Sequence, residues 1–433
     1  MEDLMRGKSR AVEILEKEYV SKLKTKSDCF IGVEFEYLLI SRDTVSFREI
    51  GNEFMEYLIE SCNFSDPVLS SEGYIECVSK GDDTISFDTV YSTLEFSVGC
   101  RKTLDEIHEV WENYYRISKE FYDKKNIIIS GIGENRLHEM EFTEVKDDVI
   151  RMYTESLTKA AGKNVVMEHM TRMSSVQTHL DIPYDSFLRA YNLFNEMSFV
   201  DGLLFANSPS MYEDVKYYCL RDIEWEGLSV DTGVFDRKFE SMGELLEAIS
   251  KEKLLICEKN GELEVITPVS IDEYFTDGNN PESDFRFFRS FRNIIFNKYG
   301  VLEFREDCTQ PIGDCLATTA FHLGIARNID KAEKIISDFK EELNLTRSNS
   351  ELRHMVISGE SIGDEDIQRK YLRDFVDCAR EGLLLRGYNE EKYIAGLYHR
   401  AESLECPGKT FWRLLSEGKD IFDIENSFGS GSF

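Results

Sequence analysis

Carboxylate side chains recur on one face of four short apolar segments, each with a composition typical of a β-strand. The segments are Ile31–Ile40 (IGVEFEYLLI), Ser92–Val98 (STLEFSV), Ser174–Asp181 (SSVQTHLD) and Gly300–Arg305 (GVLEFR). Side chains two positions apart in a strand share a face, so each segment presents polar groups on one side and apolar groups on the other. If the four strands lie in one sheet, one side of that sheet is apolar and the other is acidic.

The polar sides of the segments carry mostly acids, joined by a few neutral or basic partners. They are Glu34 and Glu36 in the first segment, Glu95 and Ser97 in the second, Ser175, Gln177, His179 and Asp181 in the third, and Glu303 and Arg305 in the fourth. Clustered carboxylates repel one another, so an ordered cluster needs cations. Carboxylate oxygens suit Mg²⁺. The pattern therefore predicts Mg²⁺ together with a phosphate-bearing substrate.

Each of these features also has a purely structural interpretation. A Glu-x-Glu pair is often a solvated strand face, and Glu95 could be a surface residue of an edge strand. His179 could be a hydrogen-bonded structural residue. Glu303 and Arg305 could serve in simple cross-strand ion pairing, or Arg305 could bind a phosphoryl group or a carboxylate. The segments alone leave these alternatives open.

The composition favours a large folded protein that acts on small molecules. The chain has 433 residues, of which 42% are hydrophobic, and this suits a large packed core. Its net charge of −31 argues against nucleic acid and anionic membranes as partners. A small anionic substrate stays compatible, because metal ions and local arginines reverse the sign of the charge inside a cleft.

The chain shows no targeting or spanning segment and no disulfide pattern. Its N-terminal residues lack the apolar run of a signal peptide, and no window reaches the roughly 18 apolar residues of a spanning helix. The ten cysteines are scattered, which is typical of reduced thiols. We therefore expect a cytoplasmic protein.

Several familiar catalytic motifs are missing from the sequence. It contains no Gly-x-x-x-x-Gly-Lys-Ser/Thr, no Gly-x-Gly-x-x-Gly after a strand and no Gly-x-Ser-x-Gly. A P-loop, a dinucleotide-binding turn and an α/β-hydrolase elbow are therefore not expected. A covalent cysteine enzyme stays open, although no cysteine has a convincing base beside it.

The order of elements predicts an α+β fold with a mainly antiparallel sheet, since hairpins and long helices occur without regular βαβ alternation. Helices are predicted over 10–24, 47–62, 101–123, 184–200 and 284–297, a helix start at Ser241, a strand over 126–133, a hairpin over 254–266 turning at Asn260–Gly261, and mostly helix over 314–418. No linker interrupts the chain. We expect a single catalytic domain over 1–426 and a flexible tail over 427–433.

Six segments, in order between about residue 31 and residue 310, resemble motifs of one enzyme family. They are IGVEFEY (31–37), ISFDTVYSTLEFS (85–97), MTRMSSVQTHLD (170–181), LLFANSP (203–209), LRDIEW (220–225) and GVLEFR (300–305). Together they resemble the plant- and proteobacterial-type glutamate–cysteine ligases and related carboxylate–amine ligases of the glutamine synthetase-like superfamily. Each segment is weakly specific alone, whereas six in order are fairly specific.

The resemblance implies a curved, mainly antiparallel sheet of the glutamine synthetase half-barrel type, with flanking helices and a helical C-terminal part. It also implies a reaction that uses ATP and Mg²⁺. ATP would phosphorylate the side-chain carboxylate of glutamate, and an amine, most simply cysteine, would attack the acyl phosphate to form a γ-glutamyl amide. Such an enzyme would serve glutathione biosynthesis.

The resemblance assigns roles to individual residues by matching position. The metal ligands would be Glu34, Glu36, Glu95, Gln177 and Glu303, with His179 at a neighbouring position on the same face. Arg305 and Arg172 would be catalytic, and Arg221 and Arg305 would bind the nucleotide, because arginine forks suit carboxylate and phosphoryl oxygens.

Two flanks depart from the family pattern. Tyr91–Thr93 stands where Gly-Gly-Gln is common, and Glu306–Gln310 replaces a Gly-Ala-Asp continuation. We expect both flanks to shape the acceptor pocket, which puts cysteine in doubt as the acceptor. The open alternatives are a ligase for a different acid or amine, a phosphotransferase, and a non-catalytic nucleotide-binding regulator. The oligomeric state is not readable from the sequence.

Overall fold

The structure is a computed structural model that describes residues 8–27, 29–134, 149–161, 171–210, 216–226 and 230–430. It is a mixed α and β fold in which one large open sheet is antiparallel throughout its described ladders and many helices surround it. This agrees with the predicted α+β class. The helical character predicted for 314–418 is also confirmed.

The strands fall into one large sheet and two small ones. They are β1 (Ile31–Ser41), β2 (Ser65–Leu69), β3 (Ile75–Lys80), β4 (Asp83–Phe87), β5 (Thr93–Arg101), β6 (Ile127–Ile129), β7 (Val176–Leu180), β8 (Thr232–Gly233), β9 (Lys253–Lys259), β10 (Glu262–Ser270), β11 (Phe291–Arg292), β12 (Ile294–Phe296) and β13 (Leu302–Phe304). The order in the large sheet is β12-β13-β7-β1-β5-β4-β3-β2, and β6 pairs with the end of β1. The other pairs are β9 with β10 and β8 with β11.

The helices cover the apolar side of the sheet and form the C-terminal part. They are α1 (Arg10–Glu18), α2 (Phe47–Cys62), α3 (Leu104–Asp123), α4 (Val149–Ala161), α5 (Tyr184–Phe205), α6 (Leu220–Glu226), α7 (Met242–Ile249), α8 (Ile271–Thr276), α9 (Ala317–Arg327), α10 (Ile329–Glu342), α11 (Asn349–Ile357), α12 (Glu365–Arg386), α13 (Leu397–Ser403), α14 (Pro407–Ser416) and α15 (Ile421–Ser430). Short 3₁₀ turns occur at Val20–Lys22, Glu282–Phe287, Ile312–Asp314 and Glu390–Ile394.

The core lies between the apolar side of the sheet and these helices. Phe35 and Tyr37 of β1 are fully buried, and the Trp111 indole of α3 donates a hydrogen bond of 2.7 Å to the Tyr37 hydroxyl. Two strands away from β1 in the same sheet, Phe304 of β13 packs edge-on against Phe194 of α5, with ring centroids 4.6 Å apart. The alternate residues of the same strands are thereby directed away from the core.

Local capping explains where several helices begin. Ser46 and Ser241 cap α2 and α7 by accepting a backbone N–H, and Thr103 forms a capping box with Glu106 at the start of α3. The predicted hairpin is also confirmed. Asn260 and Gly261 both have positive φ, as a tight two-residue turn requires.

The predicted helix over 284–297 is wrong. The chain forms a 3₁₀ turn and then the short strands β11 and β12, because Ile294 and Phe296 alternate into the core while β12 pairs with β13. The predicted helix over 10–24 is shorter than expected. It ends at Glu18, beyond which the Tyr19 ring packs against Phe285 and Phe296.

The chain near residue 427 also differs from the prediction of a flexible tail. Helix α15 runs to Ser430, because Phe428 is buried against Ile132, Phe411 and Ile424. The rest of the predicted tail, 431–433, lies outside the described residues. So does Met170, the first residue of one of the family-like segments.

Candidate active site

The four acidic segments lie side by side in the large sheet, in the order β13-β7-β1-β5. The register places Glu36 opposite Glu95 and Glu34 opposite Gln177. It also places Glu303 opposite His179. Opposed residues in antiparallel strands share a face, so these six side chains lie on one side of the sheet. We call this set the acidic face: Glu34, Glu36, Glu95, Gln177, His179 and Glu303.

The acidic face forms one wall of a cavity of about 560 Å³. All six of its members line this cavity, and so do Arg221 and Arg305. Arg172 is the one sequence-predicted site residue that does not line it. The Arg172 Nε atom is buried without a hydrogen-bond partner in the described part of the chain, and the predicted catalytic role of Arg172 stays a prediction.

Glu36 is the most firmly held of the carboxylates. Its Oε2 accepts hydrogen bonds from the Ser175 N–H (2.7 Å) and the Ser175 hydroxyl (2.9 Å), and its Oε1 accepts one from the Gln177 amide (2.6 Å). Burial nevertheless raises the pKa of Glu36 to about 7, and the nearby charge of Asp88 acts in the same direction. The side chain is fixed in position but is short of compensating positive charge.

Glu95 has a similar electrostatic environment on the neighbouring strand. Its Oε1 accepts a hydrogen bond from the Ser97 hydroxyl. Burial raises the pKa of Glu95 to about 8, and the charges of Glu34 and Asp88 add to the effect. A cation placed between Glu36 and Glu95 would reverse this penalty for both groups.

Glu303 sits at the other end of the acidic face, where positive partners surround it. Its Oε1 accepts a hydrogen bond from Arg305 Nη1 (2.6 Å), and its Oε2 accepts one from the Asn297 amide (2.8 Å). Burial alone would raise the pKa of Glu303, but the charges of His179 and Arg305 bring this pKa below its usual range. Its surroundings therefore favour the ionised form of Glu303, whereas burial favours the protonated forms of Glu36 and Glu95.

His179 bridges the two ends of the acidic face. Its Nε2 lies 3.3 Å from a Glu34 carboxylate oxygen, and its Nδ1 lies 3.7 Å from one of Glu303. Nε2 is buried and has no hydrogen bond of good geometry in the described part of the chain. Burial lowers the pKa of His179, but the two glutamates raise it by more, so the net shift is upward.

The two arginines approach the cavity from different elements. Arg305 extends from the end of β13, and its Nη1 also donates to the Gln177 amide oxygen at 2.7 Å. Arg221 is buried on α6, where its backbone N–H donates to the Ser208 hydroxyl at 3.2 Å. Both guanidinium groups border the same cavity as the carboxylates, so its wall carries anionic and cationic groups together.

Sequence reasoning missed several residues that line the cavity. Asp88 follows β4 within the ISFDTVYSTLEFS segment, yet nothing distinguishes it there from a turn residue. Asn297 orients Glu303, and exposed Arg289 and Lys298 stand at the mouth. Arg289 and Asn297 fall in the region mispredicted as a helix, so their positions could not have been inferred.

Tyr91–Thr93 and Glu306–Gln310, which we expected to shape the acceptor pocket, do not line the cavity beside the acidic face. Both segments are buried. The Tyr91 hydroxyl donates to Glu76, and the Thr309 hydroxyl donates to the Glu36 carbonyl oxygen from behind the strand. Thr93 begins β5 and Cys308 pairs with Ser175 beside β7, so both segments continue the sheet with their side chains buried.

The described residues contain no group of three or more acidic, histidine or cysteine side chains already gathered around a point that could hold a metal ion. The carboxylate oxygens of the acidic face are nonetheless suitable ligands for divalent cations. Glu36 and Glu95 oppose each other with raised pKa values, and in the described part of the chain the buried Nε2 of His179 lacks a hydrogen bond. No described helix is long and apolar enough to cross a membrane.

Comparison with solved structures identifies the fold. The chain resembles the glutamate–cysteine ligase of Francisella tularensis, solved in complex with AMP, with a TM-score of 0.51 and 13% identity over 95% of this chain and 90% of that one. The predicted resemblance to this group of ligases is therefore confirmed at the level of fold. No protein-family model and no curated protein matches the sequence.

Two further solved structures are similar to a lesser degree. One is a bifunctional glutathione synthetase from Pasteurella multocida, with a TM-score of 0.48 and 14% identity over 98% of this chain and 53% of that one. The other is the complex between the prokaryotic ubiquitin-like protein Pup and its ligase PafA, with a TM-score of 0.42 and 9% identity over 90% of this chain and 69% of that one. Both likenesses are too weak to support an argument.

Proposed function

We propose that this protein is an ATP-dependent carboxylate–amine ligase, and specifically that it forms a γ-glutamyl amide between glutamate and an amine, most simply cysteine. The observation that carries the proposal is the acidic face, which shares a cavity with Arg221 and Arg305. The fold shared with a glutamate–cysteine ligase, solved with AMP, supports the same reaction class.

Mg²⁺ would be held by the glutamates of the acidic face. When bound, it supplies positive charge against the ATP phosphates and the phosphoryl group in transfer. Glu36 and Glu95 face each other directly and are the best placed to share an ion. Glu34 and Glu303 would serve ions further along the face, toward His179.

Gln177 has a more restricted role in this arrangement. Its amide nitrogen donates to Glu36, and its amide oxygen accepts from Arg305. To act as a metal ligand, the oxygen would have to exchange Arg305 for the ion. We therefore propose that Gln177 first of all positions Glu36 and Arg305 relative to each other.

The arginines would bind the anionic oxygens of the substrates. In the proposed reaction the side-chain carboxylate of glutamate takes the γ-phosphoryl group of ATP, and the amine then displaces phosphate from the acyl phosphate. Arg305 extends from the strand that carries Glu303, so we assign it to the transferring phosphoryl group. Arg221 would bind the nucleotide. We also propose a catalytic role for Arg172, although Arg172 does not line the cavity.

The proposal also includes the other predictions made from the sequence. They are one catalytic domain over 1–426, half-barrel curvature of the sheet, small-molecule substrates, a cytoplasmic setting and a place in glutathione biosynthesis. The alternatives also stand. A ligase for another acid or amine, a phosphotransferase, and a nucleotide-binding regulator without turnover would all use the same cavity.

A phosphate-release screen tests the proposal. The full chain is given ATP, Mg²⁺, glutamate and a panel of amines that includes cysteine, with each component omitted in turn. We expect phosphate release only when acid and amine are both present, and a γ-glutamyl product by mass spectrometry. Fast release with ATP and glutamate alone would contradict a coupled ligase. Phosphorylation of one component without amide formation would indicate a phosphotransferase, and nucleotide binding without turnover would indicate a regulator.

A further inference from the structure

Two buried cysteines lie in contact directly behind the cavity. Cys308 follows β13, and Cys219 immediately precedes α6. Their Sγ atoms are 3.3 Å apart, and the Ser208 hydroxyl lies 3.3 Å from one sulfur and 3.5 Å from the other. Both thiols are free and each side chain is about 1% exposed. The pair therefore has the proximity that bond formation between two sulfurs requires.

The backbone holds the two cysteines in this position. The backbone of Cys308 forms an isolated antiparallel β-bridge with Ser175, next to β7, and the backbone of Cys219 forms a parallel β-bridge with Ser208. The Leu220 N–H also donates to the Ser208 carbonyl oxygen at 2.7 Å. Because both segments are anchored in the sheet region, the contact between the sulfurs is a fixed feature and not a chance encounter of mobile side chains.

The environment of the pair makes one sulfur the better nucleophile. Either sulfur can donate the hydrogen bond between them. With Cys219 as the donor, this bond lowers the pKa of Cys308 to about 7, and Arg221 and Ser208 act in the same direction against burial and the charge of Asp222. Burial raises the pKa of Cys219 instead. The thiolate is the reactive form of cysteine, so Cys308 would attack an oxidant first and Cys219 would resolve the product.

We propose that Cys219 and Cys308 form a redox-active dithiol that a peroxide converts into a disulfide. The Cys308 thiolate attacks one peroxide oxygen, the O–O bond breaks, and the hydroxide that leaves takes a proton to become water. The Cys219 sulfur then attacks the Cys308 sulfenic acid, the S–O bond breaks, and a second water leaves. Two thiols and hydrogen peroxide thus give one disulfide and two waters.

The bond would alter the cavity because each cysteine is close in sequence to a cavity arginine. Cys219 is two residues before Arg221, and Cys308 is three residues after Arg305. A disulfide requires an S–S distance of about 2.05 Å, so the sulfurs must approach by roughly 1.2 Å. A displacement of that size in a group that positions substrate can cost about 100-fold in rate. The effect on turnover rests on the proposed ligase function, whereas the formation of the bond does not.

Peptide mapping of the full chain tests the bond itself. The protein is treated with stoichiometric hydrogen peroxide, its remaining thiols are alkylated, and the digest is analysed without reduction. We expect a peptide linking Cys219 to Cys308 that dithiothreitol removes. In Cys219→Ala, dimedone should instead label Cys308 as a trapped sulfenic acid. Oxidation confined to exposed Cys100 and half-exposed Cys62 and Cys77, with no linked peptide, would overturn the proposal.

Turnover measurements test what the bond does. Peroxide should lower the wild-type rate at least about tenfold, and dithiothreitol should restore it. Cys308→Ala should keep its rate under peroxide, and Cys257→Ala, a matched change at a buried cysteine of β9, should respond as the wild type does. A complete Cys219–Cys308 bond with an unchanged rate would overturn the regulatory part. If no amine supports turnover, the ligase proposal fails while the peptide map still decides on the dithiol.

Discussion

The acidic face and a second cluster of polar residues lie on opposite sides of β13 and contain the same types of side chain. We call the second set the buried polar cluster: Asp201, Glu306, Asp307, His322 and Arg353. His322 lies 3.3 Å from Asp201 and 3.6 Å from Asp307 and stacks on Phe304, and Arg353 lies 2.7 Å from Glu306. Burial raises the pKa of carboxylates in both sets. Composition alone would not tell them apart.

Access to solvent separates the two sets. The acidic face borders a cavity of about 560 Å³, so cations and substrates can enter beside its carboxylates. The members of the buried polar cluster line no part of that cavity, and His322 is completely buried. Arg353 already supplies the cluster with a permanent cation. A group of raised-pKa acids is therefore a candidate site only where something from outside can reach it.

The largest expected effect comes from removing one carboxylate of the acidic face. Glu36→Gln keeps the shape of the side chain but removes the charge that would hold Mg²⁺, so we expect kcat to fall by about 100-fold or more. Even loss of an outer partner of a metal ligand commonly costs about 10–100-fold. Steady-state rates over a Mg²⁺ titration measure the effect.

Two acid-to-amide variants serve as controls for this change. Glu262→Gln alters an exposed strand glutamate of β10, and Asp201→Asn alters the buried polar cluster. Both should retain kcat within about threefold when rates are normalised to folded protein, as expected for sites away from the chemistry. If Glu36→Gln turned over at the wild-type rate, or if Asp201→Asn were equally inactive, the distinction between the two clusters would be wrong.

The next largest effect is expected for Arg305→Lys. Lysine can replace a single contact of Arg305 Nη1 but cannot present a planar fork to a phosphoryl group. We expect kcat to fall by about 10–100-fold with a smaller change in KM, because the lost contact is made in the transition state. Arg101→Lys is a matched control, since Arg101 contacts both oxygens of Asp83 outside the cavity. An unchanged rate for Arg305→Lys would limit Arg305 to pairing with Glu303.

The strands of the acidic face could be predicted because their alternation survives in the fold. Apolar and acidic residues alternate with a period of two, as in Phe35–Glu36 and Glu303–Phe304. This period fixes the face of each side chain, whichever strands are neighbours in the sheet. The sequence did not determine which strands are neighbours. That the four segments are adjacent is a property of long-range pairing, which only the structure reveals.

The failures have a common physical cause, which is that tertiary contacts overrode local signals. Apolar residues at Phe285, Phe288 and Ile295 suit a helix, but pairing of β12 with β13 makes the segment a strand. Beyond Arg305 the chain stays paired with the start of β7, where the Val176 N–H donates to the Asp307 carbonyl oxygen, and the side chains of residues 306–310 are buried. The sequence does not show which side chains are buried there, so residues beside the site were predicted to form its rim.

The buried polar cluster should show itself in the pH dependence of stability. Burial raises the pKa of Asp201 to about 7 and that of Glu306 to about 8. The folded state therefore holds protons that the unfolded state has released, and stability falls as pH rises through these values. The pKa of His322 is lowered, so near pH 6.5 the unfolded state binds more protons at this histidine than the folded state does. Its contribution to stability therefore rises with pH and levels off about one unit above the usual histidine pKa of about 6.5.

Asp201→Asn removes the contribution of Asp201 together with the part of the Glu306 and Asp307 pKa shifts that Asp201 causes. Between pH 6.5 and pH 8.5 the melting temperature of the wild type should fall by more than that of the variant. In free energy of unfolding, the difference between the two proteins should be on the order of 1 kcal/mol. Glu36, Glu95 and Glu252 have raised pKa values too, but they are present in both proteins and cancel in the difference. Identical pH slopes would show that Asp201 is ionised when buried, with Arg353 as a sufficient counter-ion.

The smallest effect is expected at the mouth of the cavity, where Arg289 is exposed. Among the described residues it donates to the backbone carbonyl oxygens of Arg286 and Phe288. Arg289→Gln should raise the KM for ATP by about two- to fivefold at low salt and leave kcat unchanged, because an exposed charge attracts the anion without holding it in the transition state. The effect should vanish near 0.5 M salt, where the screening length is roughly 4 Å. Arg237→Gln, an exposed arginine away from the cavity, is the control. A salt-independent loss of kcat in Arg289→Gln would show that this arginine contacts the reacting groups. It would contradict the distinction between exposed charges at the mouth and buried charges in the site.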